Sequence, residues 1–344
     1  MSKPSPLATK IVSYVLPFVV FGLIGYTWYI YIFRICVYLL LSKQSDNKAE
    51  AVIFMMIASF LWILALLSYI RILLTSPGKP PSLNNHTSLL PPYYYSPKLF
   101  DWSSNDVVLS ISRHDGQPRY CHLCQSYKPD RTHHCKECNA CVLKMDHHCP
   151  WVSGCVGFKN YKFFFLFVLY TGLYGLWVFV SSLPLVIKGI RDMDTNIDAQ
   201  WLALIIIAFI FGLTVCGFAG VHVYYIIKNE TTIEHLADRP IEIRIDFDTS
   251  GQNFEVVQMP PQINLWTRSR SDNWKSVMGT NPWTWFIPVR GGLVGDGTVF
   301  PYNDTIYQQL LNKAIQQRQS MDVVVQDYYE PERISSIEST AYMT

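Results

Sequence analysis

The sequence predicts an all-α polytopic membrane protein, with four transmembrane helices and a small cytosolic two-zinc cysteine-rich domain between helices 2 and 3. Three observations carry this. Half of the 344 residues are hydrophobic and only 16% are charged, against about 25% charged in soluble domains. The apolar residues fall in long unbroken blocks rather than at one-face helical spacing. Seven of the nine cysteines lie between Cys121 and Cys155, interspersed with histidines, a pattern of metal ligation more than of disulfides. The net charge of +2 gives no argument for a nucleic-acid partner.

The blocks come first. A bilayer crossing takes about 20 helical residues, and residues 11–41, 52–74, 163–187 and 201–227 each exceed that. The last two hold no Asp, Glu, Lys or Arg. Arg34 and Arg71, near the ends of the first two, can reach the interface along their aliphatic stems. The first block is too long for a cleavable signal peptide. Four spans put both termini on one side, together with residues 75–162. That loop holds ten Lys and Arg, which favours the cytosol, and zinc thiolates require a reducing compartment. The expected division is residues 1–74 as N-terminus and helices 1–2, 75–162 as linker and cysteine-rich domain, 163–227 as helices 3–4, and 228–344 as a cytosolic C-terminal region. Residues 76–97 read as an irregular linker. The tail reads as polar with an aromatic patch near Trp274, and as disordered from about Gln326.

Ligand counting organises the cysteine-rich stretch. Cys121-x2-Cys124-x9-His134-x6-Cys141 and Cys135-x2-Cys138-x9-His148-x6-Cys155 have identical spacing, offset by fourteen residues. Each supplies three thiolates and one imidazole, the composition of a closed tetrahedral zinc site. Structural zinc contributes about 10–16 kcal/mol in small peptides, enough to order a segment with few large hydrophobes. Eight ligands close two sites and leave Cys149 over. In the repeat it stands where Cys135 stands, without a metal to hold.

A free thiol beside a polar cluster is a candidate nucleophile. His147 is not spent on zinc, an imidazole lowers a nearby thiol's pKa, and Asp146 can orient that imidazole, which is the logic of Cys–His–acid catalysis. Neighbouring residues need a suitable backbone bend before these side chains meet, and Pro150 keeps Cys149 out of helical angles. The plainer readings are a spare structural thiol for Cys149, a supporting or exposed imidazole for His147 and a turn acid for Asp146. A nucleophile this close to a span suits a substrate with a polar head and an apolar tail, such as a fatty acyl thioester. Aromatic residues open the third span, and Phe164, Phe167 and Tyr174 share a helix face. They read either as lipid-facing core or as the wall of an acyl cavity. Lys128, Arg131, Lys136, Lys144, Lys159 and Lys162 are candidates for attracting the phosphates of coenzyme A, or form a solvated basic face beside anionic lipid.

At this point the stretch CHLCQSYKPDRTHHCKECNACVLKMDHHCPWVSGCVGFKNYKFF resembles the cysteine-rich domain of the DHHC protein S-acyltransferases. The four-span layout fits that family. Thr231-Thr232-Ile233-Glu234 looks like its TTxE motif, and NWKSVMGTNPWTWFIP like its C-terminal motif, with Asn273 at the Asn position. The C-terminal pattern looks nearest the family's fungal vacuolar member. The resemblance implies a two-step transfer of a palmitoyl group from palmitoyl-CoA to Cys149 and then to thiols of membrane-associated proteins. His147 would be the base, Asp146 its orienting acid and Thr232 the partner of that acid. Trp151 and aromatics of the third span would line an acyl tunnel, with Thr27 and Tyr174 at its end. It also implies an endomembrane protein with the active site and both termini in the cytosol. Independently of family, Thr231 and Glu234 match a helix capping box, and Asn273 reads as a helix cap. Ser76-Pro77-Gly78 stands where the family usually has Asp-Pro-Gly. A non-catalytic zinc scaffold and a membrane ubiquitin ligase are the rival readings, and neither needs Cys149 or His147.

Overall fold

The protein is described from a computed structural model, which covers residues 6–41, 48–81, 108–192, 198–248, 252–292 and 294–329. It is mostly helical and holds four helices long and apolar enough to cross a membrane. Helix α1 runs Pro6–Tyr29 and continues as a π-helical stretch, Ile30–Leu41; α2 is Lys48–Leu74, α3 Tyr161–Asp192 and α4 Ala199–Lys228. All four outrun the apolar blocks that predict them. A helix persists through flanking polar residues while its backbone bonds are satisfied, as where Asp198 caps α4 by accepting from Gln200 N–H.

Two compact units make up the chain. In the first, α3 packs closely on α4 through small residues. A Cβ on Gly175 would sit 2.7 Å from the Gly212 Cα, and one on Gly172 2.8 Å from the Cys216 N, so only glycine permits this approach. Tyr31, Ile35, Cys36, Val178 and Leu204 are fully or almost fully buried between helices. Arg71 lies over the Phe163 ring at 5.0 Å, and Arg34 pairs with Asp198 at 2.6 Å.

Short hairpins follow α2: β2 Tyr120–Cys121 with β3 Ser126–Tyr127, β4 His133–Cys135 with β5 Ala140–Val142, and β6 His147–Cys149 with β7 Gly154–Val156. At the exit from α2, Gly78 takes φ +102°, and Ser76 Oγ accepts from the Gly78 N–H at 3.3 Å. The Ser76 hydroxyl thus serves as the side-chain acceptor of this turn. The Pro77 and Gly78 carbonyls accept from Lys159 N–H and Leu143 N–H.

The second unit contains β1 Val108–Ile111, β8 Ile241–Asp246 and β9 Phe254–Met259 in an antiparallel sheet of order β1-β8-β9, with α7, Asp304–Tyr329, against β9. Arg244 is buried in it, bonded to Asp246 Oδ1 at 2.6 Å and stacked over Phe254. Helix α7 continues to Tyr329, and the rest of the end expected to be disordered from about Gln326 lies outside the described residues. So do residues 82–97 of the expected linker. In the first unit, α5 is a single turn, Thr232–His235, and α6 is Arg270–Met278.

Candidate active site

An extended backbone brings His147 and Cys149 onto one face, where the sequence reading asks for a suitable bend. Both lie on the extended strand β6, with Cys149 at φ −118° and ψ 107°. Successive side chains of a strand alternate faces, so His147 and Cys149 share one face and His148 takes the other. His148 lies opposite Cys155 in the ladder. One three-residue strand thereby separates a metal ligand from a histidine–cysteine pair.

The metal face repeats. His134 pairs with Cys141 in β4–β5 as His148 pairs with Cys155 in β6–β7. Residues Gln125, Asn139 and Ser153 take φ of 47°, 47° and 53°, also at fourteen-residue intervals. The local backbone therefore repeats three times, although the ligand sets repeat twice. Cys149 begins the third copy, and Val152 stands where the others place their second cysteine.

The ligand atoms of Cys135, Cys138, His148 and Cys155 lie within 4.8 Å of one another, as do those of Cys121, Cys124, His134 and Cys141. Zinc bonds of about 2.3 Å to sulfur and 2.0–2.1 Å to nitrogen make tetrahedral edges of roughly 3.5–3.8 Å. The Cys138 and Cys155 sulfurs are 3.5 Å apart, and His148 Nδ1 is 3.5, 3.3 and 3.7 Å from the three sulfurs. Cys141 Sγ lies 3.8 Å from His134 Nδ1. Both groups fit a structural zinc ion bound through Nδ1.

On the other face, His147 Nδ1 meets Asp146 Oδ2 at 2.6 Å, and His147 and Cys149 line the same cavity. Asp146 is fully buried. Its Oδ1 accepts from Thr232 N–H and its Oδ2 from the Thr232 hydroxyl, each at 2.9 Å. Burial alone would raise the Asp146 pKa. The bonds from His147 and Thr232 outweigh it and hold the carboxyl below its ordinary value. Burial alone would lower His147, but Asp146 and Cys149 push it up to about 9.

Thr232 is itself held in place. Thr231 N–H donates to Glu234 Oε2 at 2.9 Å and Glu234 N–H to Thr231 Oγ1 at 3.2 Å, a complete capping box. Glu234 receives Arg131 Nε and Nη2, both at 2.7 Å. Arg131 is buried and also donates to the Asn229 side chain and carbonyl. Desolvation would raise the Glu234 pKa, but the Arg131 guanidinium keeps it low. Lys144 donates to Asn229 Oδ1 at 3.0 Å, and burial with the Arg131 charge lowers its pKa strongly. Asn273 does not cap a helix; Ser269 caps α6. The Asn273 amide instead donates to the Ile227 carbonyl at 2.8 Å, one of the unpaired carbonyls at the end of α4.

This corrects the reading of the basic residues as a set. Arg131, Lys144 and Lys162 are committed to internal bonds, Lys162 to the Thr284 and Val289 carbonyls. Lys128, Lys136 and Lys159 remain outside these bonds.

Cys149 opens onto a cavity of about 590 Å³ with almost wholly apolar walls, within the range of small-molecule pockets. Thr27, Trp151, Phe164, Phe167 and Tyr174 all line it, with His147, Gly175, Val178 and Ala208. Phe164 to Val178 covers about 21 Å of helical rise. Within the lining the Tyr174 hydroxyl donates to Thr27 Oγ1 at 3.5 Å. The Tyr69 hydroxyl donates to the Trp151 carbonyl at 2.7 Å, tying α2 to the turn after Cys149.

Two residues near His147 have no place in the sequence expectations. His222 is fully buried in α4 and its Nδ1 bonds the Tyr161 hydroxyl at 2.8 Å. Its ring lies 6.4 Å from that of His147. An ionisable residue inside an apolar span is itself a signal of function.

Comparison with known proteins agrees with this geometry. A family model described as DHHC palmitoyltransferase matches residues 114–239. Human palmitoyltransferase ZDHHC20 is 30% identical over 302 residues, covering 85% of this chain and 77% of that protein. Palmitoyltransferase PFA3 of Debaryomyces hansenii is 30% identical, covering 76% and 75%. Human palmitoyltransferase ZDHHC2 is 32% identical, covering 81% and 72%.

Proposed function

The chain belongs to the DHHC palmitoyltransferase family, and on that premise we propose how its residues perform protein S-acylation. It is a protein S-acyltransferase. The donor is palmitoyl-CoA, whose acyl chain occupies the apolar cavity while its thioester lies against Cys149. In the first step the Cys149 sulfur attacks the thioester carbonyl as His147 takes the thiol proton. The carbon–sulfur bond to coenzyme A breaks, and its thiolate leaves with the proton from His147. In the second step a thiol of the acceptor protein gives its proton to His147 and attacks the acyl-Cys149 carbonyl. Cys149 leaves and is reprotonated. Each step exchanges one thioester for another, so neither needs a large driving force.

Asp146 fixes the ring of His147 and stabilises its cationic form, and Thr232 fixes Asp146. The observation that carries this reading is the bond of 2.6 Å between Asp146 and His147 beside a cysteine that belongs to neither ligand group. Cys121, Cys124, His134 and Cys141 hold one zinc ion, and Cys135, Cys138, His148 and Cys155 the other. When bound, the two ions supply folding free energy. Acceptors are proteins already near the bilayer, since one acyl chain alone gives only marginal, reversible membrane binding. The active site and both termini face the cytosol of an endomembrane, with the vacuolar membrane as the compartment to test first.

Purified enzyme incubated with labelled palmitoyl-CoA tests the reading. Label on Cys149, released by neutral hydroxylamine and absent from Cys149→Ala at unchanged zinc content, supports it. Label that persists in that variant overturns it.

A further inference from the structure

We propose that residues 279–291 form an interfacial membrane anchor, which seats an apolar loop tip at the edge of the leaflet on the Cys149 side. The loop is closed at its neck. Gly279 has φ +91°, and a Cβ there would collide with the Gly291 carbonyl, so the two backbones touch as in a compact Ω-loop.

Inside the loop, four backbone carbonyls are tied off by side-chain donors. Lys162 Nζ donates to Thr284 O at 2.7 Å and to Val289 O at 3.1 Å. The Tyr170 hydroxyl donates to Phe286 O, and Trp285 Nε1 to Gly279 O at 2.8 Å. The Asn281 side chain accepts from Trp283 N–H at 3.1 Å. In water such carbonyls need no partner; irregular backbone at membrane depth does.

Outside, the tip is apolar. Trp283 is 87% exposed, Phe286 51% and Ile287 48%, and residues 280–289 contain no Asp, Glu, Lys or Arg. A water-facing loop with that surface would be an aggregation hazard, whereas tryptophan is at home at the membrane boundary.

Depth agrees. The third span, Tyr161–Arg191, has 31 residues, about 46 Å at 1.5 Å per residue. The hydrocarbon core is about 30 Å thick. With the excess shared between the two ends, hydrocarbon begins about 8 Å from Tyr161 and the Tyr170 Cα lies about 13 Å from it. Helical side chains lean toward the N-terminus, so the Tyr170 hydroxyl, and the Phe286 carbonyl on it, fall close to the boundary. That is the depth at which interfacial segments bury their apolar faces.

The test places a photoreactive benzoylphenylalanine at position 283, and separately at 287, in the full chain reconstituted in phosphatidylcholine nanodiscs. Both sites are exposed, and unchanged zinc content and Cys149 labelling verify that each variant is folded. Illumination is expected to give adducts of one phospholipid mass, attached through the acyl chain, at both positions. Adducts to a second protein copy, or solvent quenching without lipid adducts, at either position would overturn the proposal.

Discussion

Thr232 reaches Asp146 twice, through its backbone N–H to one carboxylate oxygen and its hydroxyl to the other, both at 2.9 Å. The side-chain bond is separable from the backbone bond. Thr232→Val keeps shape and the N–H, and loses one hydrogen bond to a charged group, about 1.5–3 kcal/mol. Autoacylation of Cys149 is expected to slow by about 10- to 100-fold, with zinc content unchanged. A rate within twofold of wild type would show that the hydroxyl does not matter to the reaction.

Loss of a ligand and loss of the nucleophile should look different. Cys149→Ser is expected to retain two zinc ions per chain and accept no label. Cys155→Ser is expected to lose one ion and, with it, the ordered hairpin around His147. Metal analysis paired with proteolysis separates the two. Equal zinc loss in both variants would mean that Cys149 is a ligand.

Arg131 and Glu234 form a largely buried pair, and removing one partner strands the other at a cost of about 3–5 kcal/mol. Arg131→Ala should therefore free Thr232 from Asp146 and abolish labelling. The pair also sets an acid limit. Glu234 has a depressed pKa, so its stabilisation is complete above the ordinary glutamate value of about 4.3 and is lost as pH falls through the lower folded value. Glu234→Gln should lack that acid-dependent component, seen as a smaller fall in thermal stability as pH is lowered from about 4.3 through the folded value.

Tyr174 and Thr27 both line the cavity and are hydrogen-bonded to each other, the pair that the family resemblance implies at the end of the acyl chain. Tyr174→Ala should admit longer acyl chains, and Thr27→Phe should exclude the longest. Each methylene buried or excluded is worth about 0.8 kcal/mol, a roughly fourfold change in relative transfer per methylene. Competition between acyl-CoA species of different length measures the shift. An unchanged profile in both variants would place the end of the chain elsewhere.

The spans and the metal groups were legible because their signals are local and strong: unbroken apolar runs, and ligands at matched spacing. The small sheet was less so. Ile241, Ile243 and Ile245 alternate with Glu242, Arg244 and Asp246, a period-two strand signal that is lost when the tail is read by average polarity. The shared face of His147 and Cys149 depended on β6 being extended, which the pairing with β7 determines. Arg131 looked like one more surface base. Its partner Glu234 is 103 residues away, and no spacing rule spans that distance.

The third copy of the hairpin differs from a metal clasp by one residue. Where two copies chelate, the last has Val152 in place of a second cysteine, and its remaining sulfur is left over for chemistry. Val152→Cys would rebuild the missing half of the clasp, and free zinc should then silence the enzyme until a chelator revives it, a sensitivity the natural chain escapes by one side chain.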